Sequence, residues 1–376
     1  MKLIKNILVA VDFRASTENV VSNAIVFAKK FKSKLTLVHV LPEGSTNEKV
    51  DSLVRKAAED ELEKINQRFQ QEEVQTGDPM IMFGNYSDRI VFASKKIGAN
   101  LVIIGAGEKQ KKDSVQLGTT AGRVMLQSKV PVFVIKSGQD LSQIKNILCP
   151  VDFSDESSNA LKNAIAIARV FQAKLTVLSV YTEFKQTITR IDPDEVNRQR
   201  KQDQELELKR FLDKHNLIDL DYSQEVAGGS PSQEILKAIE AHQIDLLLMG
   251  TTGRSGINKI LLGSVAEKVT REVLSSFITS KKEDFLEFEL ISKDLDEHFE
   301  AAEKLYEDGF YNLAIDLYHE ALELNFTHLP SLRGLARTYE KLGDEANANK
   351  YQNMTKQVLQ QMKNYKIEEE VRRNMS

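Results

Sequence analysis

The sequence predicts an α/β protein: two tandem open parallel-sheet domains followed by an all-helical region. Three observations predict it. Short apolar runs alternate with amphipathic helical stretches, the pattern of parallel strands covered by helices on both faces. That pattern occurs twice, since Lys5-Asn-Ile-Leu-Val-Ala-Val-Asp-Phe13 returns as Lys145-Asn-Ile-Leu-Cys-Pro-Val-Asp-Phe153. From about residue 283 onward, helical periodicity stands alone.

The duplication extends beyond the first strand. Lys34-Leu-Thr-Leu-Val-His-Val40 returns as Lys174-Leu-Thr-Val-Leu-Ser-Val180, and Ala99-Asn-Leu-Val-Ile-Ile-Gly105 matches Ile244-Asp-Leu-Leu-Leu-Met-Gly250. Leu117-Gly-Thr119 falls where Leu262-Gly-Ser264 does. In the second copy, strands are expected near 145–151, 174–180, 220–226 and 244–249, with a short last strand near 276–280. Helices are expected near 154–171, 192–215, 231–242 and 263–275. The domains predicted are 1–138, 144–280 and a helical 290–376.

In the helical region Gly309 and Gly343 stand 34 residues apart, as do Ala314 and Ala348, and Ala302 and Ala336. A period of 34 with small residues at these places resembles the tetratricopeptide repeat, a helix–turn–helix unit. Phe326 stands where that repeat usually has proline, and Gln352 and Lys356 replace Tyr318 and Leu322 in the second unit. Only about two repeats are present, and the tail from Asp344 reads as one long final helix. Such a region implies a protein partner or self-association.

Bulk composition narrows the function classes. The chain of 376 residues is 41% hydrophobic and 28% charged, ordinary for a globular protein of two to three domains. A net charge of −4 offers no basic footprint for nucleic acid. No apolar segment approaches the roughly 20 residues that span a bilayer, so no membrane role is expected. One cysteine, Cys149, excludes an internal disulfide and fits a reducing, cytoplasmic setting. It reads as a small buried hydrophobe.

The glycine-rich stretch Gly250-Thr-Thr-Gly253-Arg-Ser-Gly256-Ile-Asn-Lys-Ile-Leu-Leu-Gly263-Ser264 follows a buried strand and leads into a helix. Glycine lets backbone approach a ligand, and the first amides of a helix lack intrahelical partners, so the stretch suits a phosphate. Ser264 is expected at the helix cap, its hydroxyl capping the backbone or donating to an anion. Asp152 and Gly250 both end predicted strands and are expected to face one crevice. The stretch matches neither the Walker A sequence nor the Gly-x-Gly-x-x-Gly form.

The two copies together resemble the universal stress protein family, over roughly residues 3–280. The ATP-binding branch carries Gly, two residues, Gly, nine residues, Gly, then Ser or Thr, and Gly250, Gly253, Gly263 and Ser264 satisfy that spacing. The resemblance implies a Rossmann-like, adenine nucleotide alpha hydrolase-like fold for each copy, and ATP, with or without Mg2+, in the second. It further implies Asp152 against the ribose, Val180 against adenine through its backbone, and Gly250, Gly253, Gly263, Ser264 and Val265 around the phosphates. Asp152 equally reads as a cap for the helix beginning near Ser154. Arg254 and Lys259 read either as phosphate contacts or as solvated surface charge. In the first copy Glu108 replaces the second glycine, putting a carboxylate where phosphate would lie, so that site is expected to be degenerate. Lys109, Lys111 and Lys112 flank it. The family also implies pairing of the two copies through their last strands, Val130-Pro-Val-Phe-Val-Ile135 and Ser276-Phe-Ile-Thr279, as an intramolecular pseudo-dimer.

Other candidates have plainer readings. Ser230 with Pro231 reads as a helix cap with proline in the first turn. His39 reads as a hydrogen-bonded core histidine. No metal-ligand spacing and no nucleophile–base–orienter set is visible, so no dedicated catalytic machinery is expected. The alternative readings are a scaffold that binds no nucleotide and acts through the repeat surface, or a slow ATP hydrolase.

Overall fold

The structure, a computed structural model, describes residues 4–43, 48–107, 118–185, 192–251, 262–280 and 288–375. They divide into two compact units, one of Ile4–Leu206 and Leu220–Asp284, the other of Glu207–Asp219 and Phe285–Ser376 together with the first three residues. The helical unit therefore includes a segment from inside the second copy.

The first copy folds as β1 (Asn6–Ala10), α1 (Thr17–Phe31), β2 (Lys34–Leu41), α2 (Glu48–Gln71), β3 (Met80–Phe83), α3 (Tyr86–Lys96), β4 (Leu101–Gly105), α4 (Thr119–Gln127) and β5 (Val132–Ile135). The second repeats it as β6 (Asn146–Val151), α5 (Asp155–Phe171), β7 (Lys174–Tyr181), α6 (Pro193–Leu212), β8 (Tyr222–Gly228), α7 (Pro231–Ala241), β9 (Leu246–Gly250), α8 (Ser264–Glu272) and β10 (Ser276–Ser280). Local detail repeats as well. Phe13 and Phe153 both adopt the left-handed region, at φ 57° and 67°, and Lys32 and Gln172 end their helices in it. Ser230 caps α7 by position with Pro231 in the first turn, but its hydroxyl makes no cap hydrogen bond.

The ten strands form one sheet in the order β3-β2-β1-β4-β5-β10-β9-β6-β7-β8. Each half is parallel, and the halves join where β5 and β10 pair antiparallel, with Phe277 opposite Val134 and Thr279 opposite Val132. The last strands thus pair within the chain, although β10 lacks the proline of its counterpart. On one face a single apolar core crosses the junction, including Val124, Val132 and Val134 of the first half and Val269, Val273 and Phe277 of the second. On the other, Phe27 packs on Phe133 at 4.6 Å and on Phe171 at 5.3 Å.

The linker is tied to the same junction. Asn19 and Asn23 on α1 donate to the carbonyls of Lys136 and Gln139, and Leu141 N–H donates back to the Asn23 amide oxygen. Ser276 clamps it from the other half: its N–H donates to the Gln139 side chain at 2.5 Å and its hydroxyl accepts from Lys136 N–H at 3.0 Å. Lys136 itself is 2% exposed, and its Nζ has no hydrogen-bond partner among the described residues. That ammonium lies 5.7 Å from the centre of the Phe277 ring.

The helical unit contains α9 (Phe288–Glu307), α10 (Tyr311–Leu324), α11 (Leu329–Leu342) and α12 (Glu345–Met375). Gly309 and Gly343 take φ of +82° and +75° at the turns, where a left-handed residue ends a helix without a Cβ penalty. Ala302, Ala314, Tyr318, Leu332, Leu335, Ala336, Tyr351 and Val358 form its core. Tyr318 is fully buried, and its hydroxyl donates to Glu303 at 2.5 Å and accepts from Arg337 at 3.1 Å. Arg337 also bonds Glu303 and stacks its guanidinium 4.4 Å above the Tyr306 ring. No described helix is long and apolar enough to cross a membrane.

Candidate functional site at the carboxyl ends of β6, β7 and β9

The order of the second half reverses at β6: β7 and β8 continue to one side, whereas β9 and β10 lie on the other. Such a switch point leaves a crevice beyond the strand carboxyl ends. Here the ladder beside it is shorter than in the first half. In the first half, β1 and β4 stay in register over four residue pairs, through Ala10 and Ile104. In the second, β6 and β9 pair only at Ile147–Leu246 and Leu148–Leu247. Pro150 replaces Ala10 just past the last pair, and proline has no N–H to give the ladder. The effect of Pro150 is absent from the sequence reading; its signal is a proline in an otherwise apolar strand.

Past Val151 the chain turns sharply. Asp152 Oδ1 accepts from Ser154 N–H at 3.1 Å and from Ser154 Oγ at 2.5 Å. Ser154 Oγ in turn accepts from Ser157 N–H and caps α5. Asp152 therefore holds the turn that places Phe153 in the left-handed region. A ligand contact remains compatible with this role, because the carboxylate is part-exposed.

Gly250 ends β9 against the first turn of α5. A Cβ there would lie 3.1 Å from Glu156 Cβ and 3.2 Å from the Glu156 carbonyl carbon, so glycine is needed for that approach. Beyond it, Thr251 N–H bonds Ser280 O at 3.2 Å, and Gly263 N–H bonds Thr251 O at 2.8 Å, closing the neck of the glycine loop. Gly253, Arg254 and Lys259 lie outside the described residues, as do Glu108, Lys109, Lys111 and Lys112 in the first copy.

The start of α8 corrects one expectation. The cap residue is Gly263, at φ −60° and ψ 144°, and Ser264 is the first residue of the helix. No side chain caps α8. Serine cannot cap from within the first turn, whose amides point out of the helix end. Ser264 is exposed there, while Val265 and Leu262 pack on the core below. Val180 lies one residue past the last β6–β7 pair, Val151–Ser179, with its side chain against the core. Asp152, Val180, Gly250, Gly263, Ser264 and Val265 thus gather around the ends of three neighbouring strands. Among the described residues, no group of His, Cys, Asp and Glu is placed to hold a metal ion.

The first copy differs at the same depth. His39 stands where the second has Ser179, and both bond the carbonyl ending the first strand of their half. His39 Nδ1 lies 2.8 Å from Val11 O, and Ser179 Oγ donates to Val151 O at 3.1 Å. The His39 ring also stacks on Phe13, 4.1 Å between centroids. Burial holds its pKa below the usual histidine range against the raising effects of the Val11 carbonyl and Asp12. Cys149 is fully buried in β6, which pushes its thiol pKa up and keeps it unreactive.

The universal stress protein family model matches residues 3–136 and again 143–276. The chain belongs to the universal stress protein family. A universal stress protein of Methanocaldococcus jannaschii is 32% identical over 151 residues, covering 40% of this chain and 88% of that protein. A universal stress protein A homolog of Haemophilus influenzae is 35% identical over 108 residues, 28% of this chain and 76% of its own. Among solved structures, a universal stress protein from Archaeoglobus fulgidus superposes with a TM-score of 0.58 at 19% identity, covering 75% of this chain and all of that one. A putative universal stress protein from Pseudomonas aeruginosa gives 0.56 at 17% identity, covering 77% and 98%. These likenesses show the fold, two universal stress domains in one chain.

Proposed function

We propose that the second universal stress domain binds ATP in the crevice at β6, β7 and β9, and that the chain acts as a cytoplasmic stress-response protein. The observation that carries this reading is the asymmetry of the halves. The second has the full glycine spacing and a shortened β6–β9 ladder; the first has Glu108, a full ladder and the Phe13–His39 stack, while the helix after the loop starts without a side-chain cap in both. The residues present suit the group: an uncapped helix N-terminus favours phosphate, and Gly250 keeps the strand end free of side chain. In this reading Asp152 meets the ribose, Val180 the base, and Gly263 and Ser264 the phosphates, with Mg2+ arriving on the nucleotide. It acts in this reading as a binder rather than a catalyst, since the sequence carries no recognisable nucleophile–base–orienter set. The helical unit, read as tetratricopeptide-like, presents a surface to a protein partner.

Ser264→Glu tests the site. A carboxylate in the first turn favours the helix electrostatically but repels phosphate, so folding and binding respond in opposite directions. Titration calorimetry is expected to give one ATP per chain, no binding in Ser264→Glu, and unchanged binding in Thr119→Glu at the matching place in the first half. A wild-type chain that binds no ATP, or an unaffected Ser264→Glu variant, removes the reading. A chain without nucleotide whose helical unit still captures a protein would favour a scaffold.

A further inference from the structure

The ten-stranded sheet has two open edges, β3 and β8, and the duplication makes each a control for the other. Met80 pairs with Val38 as Glu225 pairs with Leu178, so the two occupy the same position. By the same register Phe83 stands where the second half has Gly228. Phe92 is the seventh residue of α3, and the seventh residue of α7 is Lys237. The β8 edge is guarded by Glu225, paired with His242 at 3.0 Å. The β3 edge, Met80-Ile-Met-Phe83, carries no charge at all.

Its surroundings are apolar too. On α2, Ala58 and Leu62 are buried, and the same i, i+4 stripe continues to Val54 and Val50, both exposed. Leu53 is 69% exposed and Phe92 52%. A cleft of about 450 Å³ runs along β3, floored by Met80, Ile81 and Met82 and rimmed by Arg55, Glu59, Glu63 and Lys96. An unpaired apolar edge strand of this kind is a template for another strand.

We propose that the β3 edge is the interface with a second copy of this chain, the two β3 strands pairing antiparallel about a two-fold axis. The rim favours a copy of itself over a partner of one charge. Arg55 and Lys96 are balanced by Glu59 and Glu63, Arg55 already pairing with Glu59 at 2.9 Å, so the rim has no net charge to repel an identical copy. Edge-to-edge antiparallel pairing is also how this chain joins its own halves at β5 and β10. A β3–β8 contact would bury Glu225 and propagate into an open filament, whereas β3–β3 closes.

Sedimentation velocity on the full chain tests this. A dimer is expected at concentrations up to about 100 µM, a range ordinary for interfaces of modest size. Met80→Glu with Phe92→Lys, which installs the residues of the second half, is expected to give a monomer that keeps the wild-type far-ultraviolet circular dichroism spectrum. With Cys149 buried, a single cysteine at Ile81 or Met82 is expected to yield a disulfide-linked dimer on mild oxidation, since paired strands bring Cα atoms within bridging range. A wild-type monomer throughout that range overturns the proposal. So does a dimer that survives Met80→Glu/Phe92→Lys, or one that neither cysteine cross-links.

Discussion

The ring of Tyr318 fills the space that a side chain on Gly334 would need: Cε1 and Cζ both lie 2.5 Å from the position of a Cβ there. The ring is fully buried and anchored at its hydroxyl by Glu303 and Arg337, so it has nowhere to retreat. Burial and the Glu303 bond push its pKa up to about 12.

Gly334→Ala should therefore reverse the usual sign. In a helix interior the change normally stabilises by about 1 kcal/mol. Here a Cβ inside contact distance of an aromatic ring should destabilise the helical unit by about 2 kcal/mol or more, as overpacking does. Denaturant unfolding followed by far-ultraviolet circular dichroism measures it, and a stabilised variant would show that the ring yields.

Lys136 predicts an alkaline gain in stability. Burial lowers its pKa from 10.5 to about 8 in the folded chain. The unfolded chain keeps a proton that the folded chain has lost between those values, so stability rises with pH across that window. Lys136→Met removes the penalty outright and should stabilise by on the order of 3 kcal/mol at neutral pH. The gap between variant and wild type is full below pH 8 and closes toward pH 10.5, and a pH series of thermal midpoints follows it.

His39 predicts the opposite end of the scale. Its folded pKa is depressed, so its contribution is present above the ordinary histidine value, about 6.5, and is lost as pH falls through the window beneath it. His39→Ser installs the residue that makes the matching bond at Ser179. It should flatten the acid limb of the stability profile, whatever its effect at neutral pH. An acid limb of unchanged slope would assign that loss to other groups.

Pro150→Ala restores a ladder donor at the mouth of the second crevice. Extending the β6–β9 ladder toward the four pairs of the first half should stabilise the sheet slightly and weaken ATP binding by about tenfold, roughly 1.4 kcal/mol. Calorimetry beside a melting curve reads both, and tighter binding would argue that the crevice does not depend on the shortened ladder.

Much of this architecture is legible in the sequence, because repetition is a strong signal. Two copies of Val-Asp-Phe after an apolar run place the same strand, turn and helix twice, and the structure repeats even the left-handed Phe13 and Phe153. The pairing of β10 is less legible, since Ser276-Phe-Ile-Thr279 is short and its register is set by a strand more than a hundred residues away. The cap of α8 moves from Ser264 to Gly263 because cap identity depends on one residue's dihedrals rather than on composition. Pro150 acts across a non-local ladder, which local patterning does not report. The inclusion of Glu207–Asp219 in the helical unit is likewise tertiary, with Lys350 lying 3.8 Å from Asp219.

The antiparallel junction of β5 and β10 has a directional consequence. Each half is parallel within itself, so reversing one against the other points their strand carboxyl ends toward opposite rims of the sheet. Asp12 and Asp152 therefore lie at opposite rims of the sheet. Under the proposed function, a single nucleotide could not bridge them, and a change in one half's pocket would leave the other's lining untouched.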